Sequence, residues 1–161
     1  MGSGKSSVGK TLSQISQYKL IDTDHWIESK ARMTIPDIFE KKGESEFRSY
    51  EQQCVNEYIQ VSKHIFSTGG GLPIPKSMHG QLKQLGHLFF LDTPLKTAIE
   101  RCQDSKRPLL KKSMKDIQTL FDSRQTIYKT LADHCISTEN QSTPEIAQEI
   151  WNTYNITYNP N

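Results

Sequence analysis

The first twelve residues, MGSGKSSVGKTL (residues 1–12), carry the signal that decides the fold. Gly2 to Ser6 match the second half of a phosphate-binding loop, Gly-x-x-x-x-Gly-Lys-Ser/Thr, whose first glycine would precede residue 1. Glycine lets backbone N–H groups approach phosphate oxygens closely, and a helix beginning there adds its positive N-terminal dipole. The loop therefore predicts a nucleotide site in which Lys5 reaches the β- and γ-phosphates and the Ser6 hydroxyl ligates Mg²⁺.

A flexible N-terminus that happens to contain two glycines is the alternative interpretation of this stretch. Val8, Leu12 and Ile15 follow the glycines at the spacing of an amphipathic helix. A glycine-lysine loop that runs directly into such a helix favours phosphate binding over the alternative.

The composition excludes several classes of protein. The 161 residues suffice for one domain, and 20 Lys and Arg against 18 Asp and Glu give a formal net charge of +2. We therefore expect neither nucleic acid nor a membrane as a partner. Three cysteines without a Cys-x-x-Cys pair indicate neither a disulfide framework nor a metal site. Without an 18-residue apolar run or a signal-peptide pattern, a cytoplasmic protein is expected.

Short apolar runs alternate with longer helical patterns along the chain. The runs at 19–21, 64–67, 87–91 and 134–137 predict strands. Helices are predicted at 5–17, 26–32, 35–42, 44–62, 76–85, 94–103, 113–133 and 144–154, with Thr143 as the last N-cap and a frayed tail over 155–161. Strands separated by helices predict an α/β fold with a parallel sheet covered by helices on both faces.

The segment RCQDSKRPLLKKSM (residues 101–114) is basic and has little apolar periodicity. A solvated loop between two helices is the simpler interpretation. A mobile lid that places an arginine over phosphates is the other.

Two acidic residues in LIDTD, Asp22 and Asp24, lie at the carboxyl end of the first predicted strand. Ligands bind at this edge of open α/β sheets, and alternation along a strand would put both side chains on one face. One carboxylate would then serve a metal and the other a substrate hydroxyl. Alternatively, Asp24 is only the N-cap of the helix predicted near Trp26.

Two further motifs leave their function open. In STGGG, the consecutive glycines Gly69 to Gly71 indicate either close approach of the backbone to a ligand or a tight turn. In EFRSYE, Arg48 and Glu51 form either a surface ion pair or a fork, held by Glu51, that grips a carboxylate. Arg124, in DSRQTIY, is uninformative by itself.

Taken in order along the chain, these motifs resemble the shikimate kinase family of small P-loop kinases. The matching stretches are GSGKSS, LIDTD, IPDIFEKKGESEFRSYE, STGGG, RPLL and the pair Arg124 and Tyr128. The resemblance implies a three-layer α/β/α P-loop NTPase fold with sheet order 2-3-1-4-5. It implies one kinase domain, 1–161, with a mobile substrate region at about 24–62 and a lid at about 102–114. The implied reaction is phosphorylation of the 3-hydroxyl of shikimate by MgATP in aromatic amino-acid biosynthesis, by a monomer.

The resemblance also assigns roles to individual residues. Those assigned to ATP are Gly2, Ser3, Gly4, Lys5, Ser6, Ser7, Arg107 and Gln141, with Arg101 also near the adenine end. Those assigned to shikimate are Asp24, Arg48, Gly69, Gly70, Gly71 and Arg124, with Phe39 and Phe47 as walls. Those assigned to catalysis are Lys5, Asp24 and Arg107, while Ser6 and, through water, Asp22 are assigned to Mg²⁺.

The chain departs from the family pattern before residue 2, where relatives have an apolar strand and a glycine. That strand is central in the order 2-3-1-4-5, and each unpaired buried backbone group would cost about 1–3 kcal/mol. We therefore expect the native protein to start about ten residues earlier, enough for one strand and its turn. A related kinase, such as one for gluconate, and a catalytically impaired binding protein are the alternatives.

Overall fold

The computed structural model describes residues 2–103 and 113–158. Within these ranges the chain forms four strands, seven α-helices and one 3-10 helix at Lys76–Met78. The strands are β1 (Lys19–Asp22), β2 (His64–Ser67), β3 (Phe89–Asp92) and β4 (His134–Ser137). The helices are α1 (Lys5–Ser16), α2 (Thr23–Ala31), α3 (Ile35–Tyr58), α4 (His79–Leu85), α5 (Leu95–Gln103), α6 (Met114–Leu131) and α7 (Thr143–Tyr158).

The chain divides into two compact units. The first contains the described residues of Met1–Ser16 and Leu88–Asn161, and the second is Gln17–His87. Each unit has its own parallel strand pair, β3 with β4 in the first and β1 with β2 in the second.

In the first unit, α1 packs against α7. Val8 and Leu12 on α1 and Ile146 and Ile150 on α7 are buried at a spacing of four residues, which places each pair on one helix face. Leu91 and Ile136, paired across β3 and β4, are also buried. These apolar faces form the core beside which the N-terminal loop is positioned.

In the second unit, α2 and α3 pack together over a core of Ile27, Ile38 and Phe47. Trp26, Ala31, Met33, Ile35 and Tyr50 surround that core and are partly buried. The parallel register pairs Leu20 with Ile65 and Asp22 with Ser67, so both strands end at the same level. Polar residues that follow the two strands are therefore brought side by side.

The predicted α/β class with parallel strands is confirmed. In the expected order 2-3-1-4-5, the strands that correspond to β1 and β2 are neighbours, and so are those that correspond to β3 and β4. Both pairings are observed. Among the described residues they form two two-stranded sheets, and the first element of the chain is α1.

Several predicted boundaries are wrong by a few residues. Helix α2 begins at Thr23, because Asp22 caps it by accepting hydrogen bonds from the backbone N–H groups of Asp24 and His25. Helix α7 begins at Thr143, one residue before its predicted start, and the Ser142 carbonyl accepts the first helical bond. The same helix continues to Tyr158 through part of the tail predicted to fray.

Helix α3 contains the break that the sequence predicted between 42 and 44. Gly43 has φ +82° and ψ 173°, which is not helical, so α3 consists of two helical halves. Thr34 caps the first half by accepting from the Asp37 N–H. None of the described helices is both long enough and apolar enough to cross a membrane.

Candidate active site

The predicted phosphate loop leads directly into α1 in the first unit. Gly2 and Gly4 have φ values of +61° and +79°, a left-handed conformation that glycine adopts without strain. A Cβ at Gly2 would collide with the carbonyl oxygen of Ala98, whereas one at Gly4 would meet only the Arg101 Nη1 atom at 4.0 Å. The loop is therefore tightly packed at Gly2 and open at Gly4.

The side chains of this loop differ in exposure. Ser3 is buried, Lys5 is half-buried with its Nζ 3.5 Å from the Ser3 Oγ, and Ser6 and Ser7 are exposed. The Val8 N–H donates to the Gly4 carbonyl, so the first N–H groups of α1 lie beside the two glycines. This arrangement has the donors and the cation that a phosphate chain requires.

In the second unit, the structure separates the tasks of Asp22 and Asp24. The predicted alternation along a strand is wrong for this pair, because Asp24 lies in the first turn of α2 rather than in β1. Asp22 Oδ1 accepts from the N–H groups of Asp24 at 3.1 Å and of His25 at 3.3 Å. Asp22 is therefore the N-cap, the role that the alternative interpretation gave to Asp24.

Thr23 connects the ends of β1 and β2. The residue is 1% exposed, and its hydroxyl donates to the Ser67 carbonyl at 3.4 Å and accepts from the Gly69 N–H at 2.8 Å. These contacts hold the start of the glycine turn, Gly69 to Gly71, against Thr23, the residue that precedes Asp24.

Charged side chains pack closely against Gly69 and Gly71 and leave no room for a larger residue at either position. Gly69 and Gly71 do not have positive φ values, so turn geometry does not require glycine there. A Cβ at Gly69 would lie 2.6 Å from Asp24 Oδ1, and a Cβ at Gly71 would lie 2.8 Å from Arg48 Nη1. The close approach is thus to side chains of the chain itself, and the predicted approach of this backbone to a ligand stays a prediction. Asp24 and Arg48 therefore lie along one turn, which also contains Gly70.

Arg48 is held by two carboxylates with different surroundings. Its Nη1 donates to Glu51 Oε2 at 2.7 Å, and its Nη2 and Nε donate to Glu44 Oε1 at 2.8 and 3.2 Å. The Glu51 side chain is 3% exposed and that of Glu44 is 65% exposed. We name the residues Asp24, Arg48, Glu51, Gly69 and Gly71 the Arg48 cluster.

The electrostatics of the Arg48 cluster follow from burial. Burial raises the pKa of Glu51, Arg48 lowers it, and the nearby charge of Asp24 raises it again, so the net shift is upward. Burial lowers the pKa of Arg48, but its hydrogen bonds with Glu51 and Glu44 outweigh burial and raise it. The 2.7 Å bond from Arg48 Nη1 to Glu51 agrees with the hypothesis that Glu51 holds the guanidinium fork.

Two aromatic side chains lie beside the cluster. The ring centres of Phe39 and Phe47 are 4.7 Å apart across the break at Gly43, and the Arg48 guanidinium carbon is 5.5 Å from the Phe47 ring centre. Phe47 is buried, whereas Phe39 is 40% exposed. Phe39 thus presents apolar surface near the substrate residues predicted from the sequence.

The other predicted residues lie in the first unit or outside the described residues. Arg124, on α6, lies close to the hydroxyl of Tyr128, and burial raises the pKa of that hydroxyl while the Arg124 charge opposes the rise. Gln141 donates from Nε2 to Glu149 Oε2 at 2.9 Å. Arg107 and most of the predicted lid lie outside the described residues.

A cavity of about 380 Å³ lies at the carboxyl ends of β3 and β4 in the first unit. At its wall, Asp92 accepts from Lys129 at 2.8 Å and from Gln125 at 3.2 Å. None of the described residues predicted for the active site lines this cavity.

The sequence interpretation missed Thr23 and Glu44. Thr23 stands between the two acidic residues of LIDTD and gives no signal of its own. Glu44 precedes Arg48 by four residues, the spacing at which opposite charges meet on a helix, and this signal was available in the sequence.

Known proteins are similar to this chain in both sequence and fold. The family model described as shikimate kinase matches residues 1–155. A shikimate kinase of Persephonella marina is 44% identical over 151 residues, covering 93% of this chain and 92% of its own. One of Aquifex aeolicus is 38% identical over 152 residues, covering 93% and 89%.

Solved structures give the same answer. The shikimate kinase of Acinetobacter baumannii in complex with shikimate superposes with a TM-score of 0.90 at 33% identity, covering 98% of this chain and 90% of its own. A gluconokinase of Sinorhizobium meliloti 1021 has a TM-score of 0.53 at 17% identity, which is a likeness of fold alone. The resemblance to a P-loop kinase seen in the motifs is confirmed, and the chain belongs to the shikimate kinase family.

Proposed function

We propose that this chain transfers the γ-phosphoryl group of ATP to the 3-hydroxyl of shikimate, which gives shikimate 3-phosphate, ADP and a proton. Its membership of a kinase family supports the reaction class. The solved relative that contains shikimate supports the acceptor.

The observation that carries the proposal is the packing of the glycine turn. Gly69 approaches the Asp24 carboxylate and Gly71 approaches the Arg48 guanidinium, so an acid and a cation lie along one turn. A small hydroxy acid needs these two groups, an acceptor for a hydroxyl and a fixed cation for its carboxylate. The glycine backbone between them offers further hydrogen bonds to ring hydroxyls.

In this proposal, Asp24 accepts the hydrogen bond of the attacking hydroxyl and takes its proton as the new P–O bond forms. Phosphoryl transfer depends mainly on alignment and on neutralising charge, so orientation of this hydroxyl is the main contribution of Asp24. Arg48 and Arg124 bind the carboxylate of the acceptor and fix its orientation.

The phosphates of ATP are assigned to the residues Gly2, Ser3, Gly4, Lys5, Ser6 and Ser7. The left-handed glycines and the start of α1 beside them fit a phosphate chain. Lys5 and Arg107 neutralise charge on the phosphates, and Gln141 and Arg101 are assigned to the adenine end.

The residues present also suit Mg²⁺, which prefers hard oxygen ligands and retains water. The Ser6 hydroxyl is exposed and would be one such ligand. Asp22 Oδ1 is used for capping α2, which fits a contact with the ion through water rather than directly. When bound, the ion would neutralise charge on the phosphates.

A coupled assay of ADP release tests the proposal. Turnover is expected with shikimate and ATP, and not with gluconate or quinate in place of shikimate. Turnover with gluconate would favour the related kinase. Binding of shikimate and ATP without turnover would favour the catalytically impaired protein.

Asp24→Asn is the matched variant for that assay. It removes the proton acceptor but keeps the size of the side chain, so kcat should fall by about 100-fold or more. The Kd of ATP, measured by calorimetry, should stay within about twofold because Asp24 is not assigned to the nucleotide. Unchanged turnover would contradict the role of Asp24.

The remaining sequence expectations stay predictions. They are one kinase domain with a mobile substrate region at about 24–62 and a lid at about 102–114, a monomeric state, and a cytoplasmic location.

A further inference from the structure

The guanidinium of Arg48 is occupied on two sides. Glu51 accepts from Nη1, and a single oxygen of Glu44 accepts from both Nε and Nη2 at 3.2 and 2.8 Å. The Nε–Nη2 side is one of the two edges at which a guanidinium binds a carboxylate through two parallel hydrogen bonds. Glu44 therefore occupies an edge suited to the carboxylate of a ligand.

The two glutamates differ in how easily they can leave Arg48. Glu51 is buried next to Asp24, and its release would leave an unpaired charge away from water. Glu44 is exposed, so its carboxylate is fully hydrated when it turns away, and exposed ion pairs are weak. Glu51 is therefore a permanent partner of Arg48, and Glu44 is an exchangeable one.

The exchange needs only the Glu44 side chain to turn. Ile38 and Phe47, one from each half of α3, are buried in the same core, so the backbone on both sides of Gly43 is held in place. The Glu44 side chain is 65% exposed, and its rotation away from Arg48 therefore disturbs no buried packing.

We propose that Glu44 is an internal competitor, a carboxylate that occupies the Nε–Nη2 edge of Arg48 until the carboxylate of the acceptor displaces it. The inference rests on the proposed function, because it takes Arg48 as the residue that binds that carboxylate. Glu44 lowers the affinity for the acid acceptor, since only the fraction of molecules with an open edge binds it. In the empty protein, it satisfies the guanidinium and excludes other anions.

The test compares Glu44→Gln with the unsubstituted protein by calorimetric titration of shikimate and by steady-state kinetics. The variant should bind shikimate about two- to fivefold more tightly, the range expected when an exposed ion pair no longer competes. The KM of shikimate should fall by the same factor, while the KM of ATP and kcat stay unchanged. Glu44→Ala should give a gain at least as large, because no acceptor remains.

Two controls separate competition from a general change of charge. Glu40→Gln removes an equal charge from an exposed position on the first half of α3, and should leave shikimate affinity unchanged. The methyl ester of shikimate has no carboxylate to compete, so Glu44→Gln should not tighten its binding.

The outcomes are distinguishable. Weaker or unchanged shikimate binding in both Glu44 variants, or an equal gain with the methyl ester, would overturn the inference while turnover leaves the proposed function standing. No binding or turnover of shikimate by the unsubstituted protein would overturn the proposed function and this inference with it.

Discussion

The two arginines assigned to the acceptor carboxylate are held in different ways. In the second unit, Arg48 donates to two carboxylates, one of them buried, and lies on a helix broken at Gly43. In the first unit, Arg124 lies close to the neutral hydroxyl of Tyr128, one turn further along helix α6. The same side chain type thus has a charged support in one unit and a neutral support in the other.

This difference indicates how each arginine contributes to stability. The buried carboxylate of Glu51 needs a cation in the folded protein whether or not a ligand is bound. The phenol of Tyr128 needs no compensating charge. Arg48 is therefore expected to support both folding and binding, whereas Arg124 is expected to contribute mainly to binding.

The strongest test replaces each arginine by lysine. Arg48→Lys should lower kcat/KM for shikimate by on the order of 100-fold, because a point charge cannot reproduce three hydrogen bonds from a planar fork. Arg124→Lys should cost about 10-fold, since the neighbour of Arg124 on α6 is a neutral hydroxyl rather than a buried carboxylate. Thermal melts should show a lower Tm for Arg48→Lys and little change for Arg124→Lys. Equal losses in both variants would remove the distinction.

A second test concerns the buried carboxylate. Because the folded-state pKa of Glu51 is raised above its ordinary value of 4.5, the folded protein binds more protons in that window. The contribution of Glu51 to the free energy of unfolding therefore falls as pH rises from about 4.5 towards the raised pKa.

Glu51→Gln should remove this slope of stability against pH. It should also lower kcat/KM by about 10-fold, because the hydrogen bond from Arg48 then goes to a neutral amide. Urea unfolding between pH 4 and 8 measures the slope, with Glu40→Gln as the charge-matched control. An unchanged slope in Glu51→Gln would contradict the assignment.

A third test adds a single carbon next to Arg48. Gly71→Ala places a Cβ 2.8 Å from Nη1, so the guanidinium must shift, and the KM of shikimate should rise about fivefold with a smaller change in kcat.

Gly80→Ala, at an exposed position on α4 with no atom within 4 Å, is the control. It should leave kinetics unchanged and stabilise the fold by about 0.5–1 kcal/mol, because alanine loses less backbone entropy in a helix. Equal kinetics for both alanine variants would show that close approach at Gly71 is unimportant.

The smallest effect is expected at the neutral support. Tyr128→Phe removes one hydroxyl from the partner of Arg124 and keeps the ring, which packs 5.4 Å from Phe90. The KM of shikimate should rise by about threefold, which corresponds to ~0.7 kcal/mol, towards the lower end of what one polar contact contributes, with the Tm unchanged. A loss larger than that of Arg48→Lys would reverse the comparison.

Short-range patterns in the sequence predicted much of this fold. The four strands were located from apolar runs, and the break in α3 from separate helical patterns at 35–42 and 44–62. The N-cap of α2 was not, because LIDTD reads equally well as a strand that continues to Asp24.

The tail was also misjudged, for a tertiary reason. The Tyr158 hydroxyl lies 2.9 Å from His134 Nε2 on β4, and the two rings pack against each other. This long-range contact keeps the last turn of α7 helical, although its sequence is polar and predicts fraying.

The sequence by itself determined the loop that leads into α1, the alternation of strands and helices, and the family, because each depends on residue types at fixed short spacing. Tertiary structure decided why Gly69 and Gly71 are glycines and which residue fixes their turn. Thr23 and Gly69 are separated by 46 positions along the chain, and only the parallel pairing of β1 with β2 brings them together. Contacts between strands paired in this way leave no periodic signal in either segment, so their side-chain partners emerge only in the folded chain.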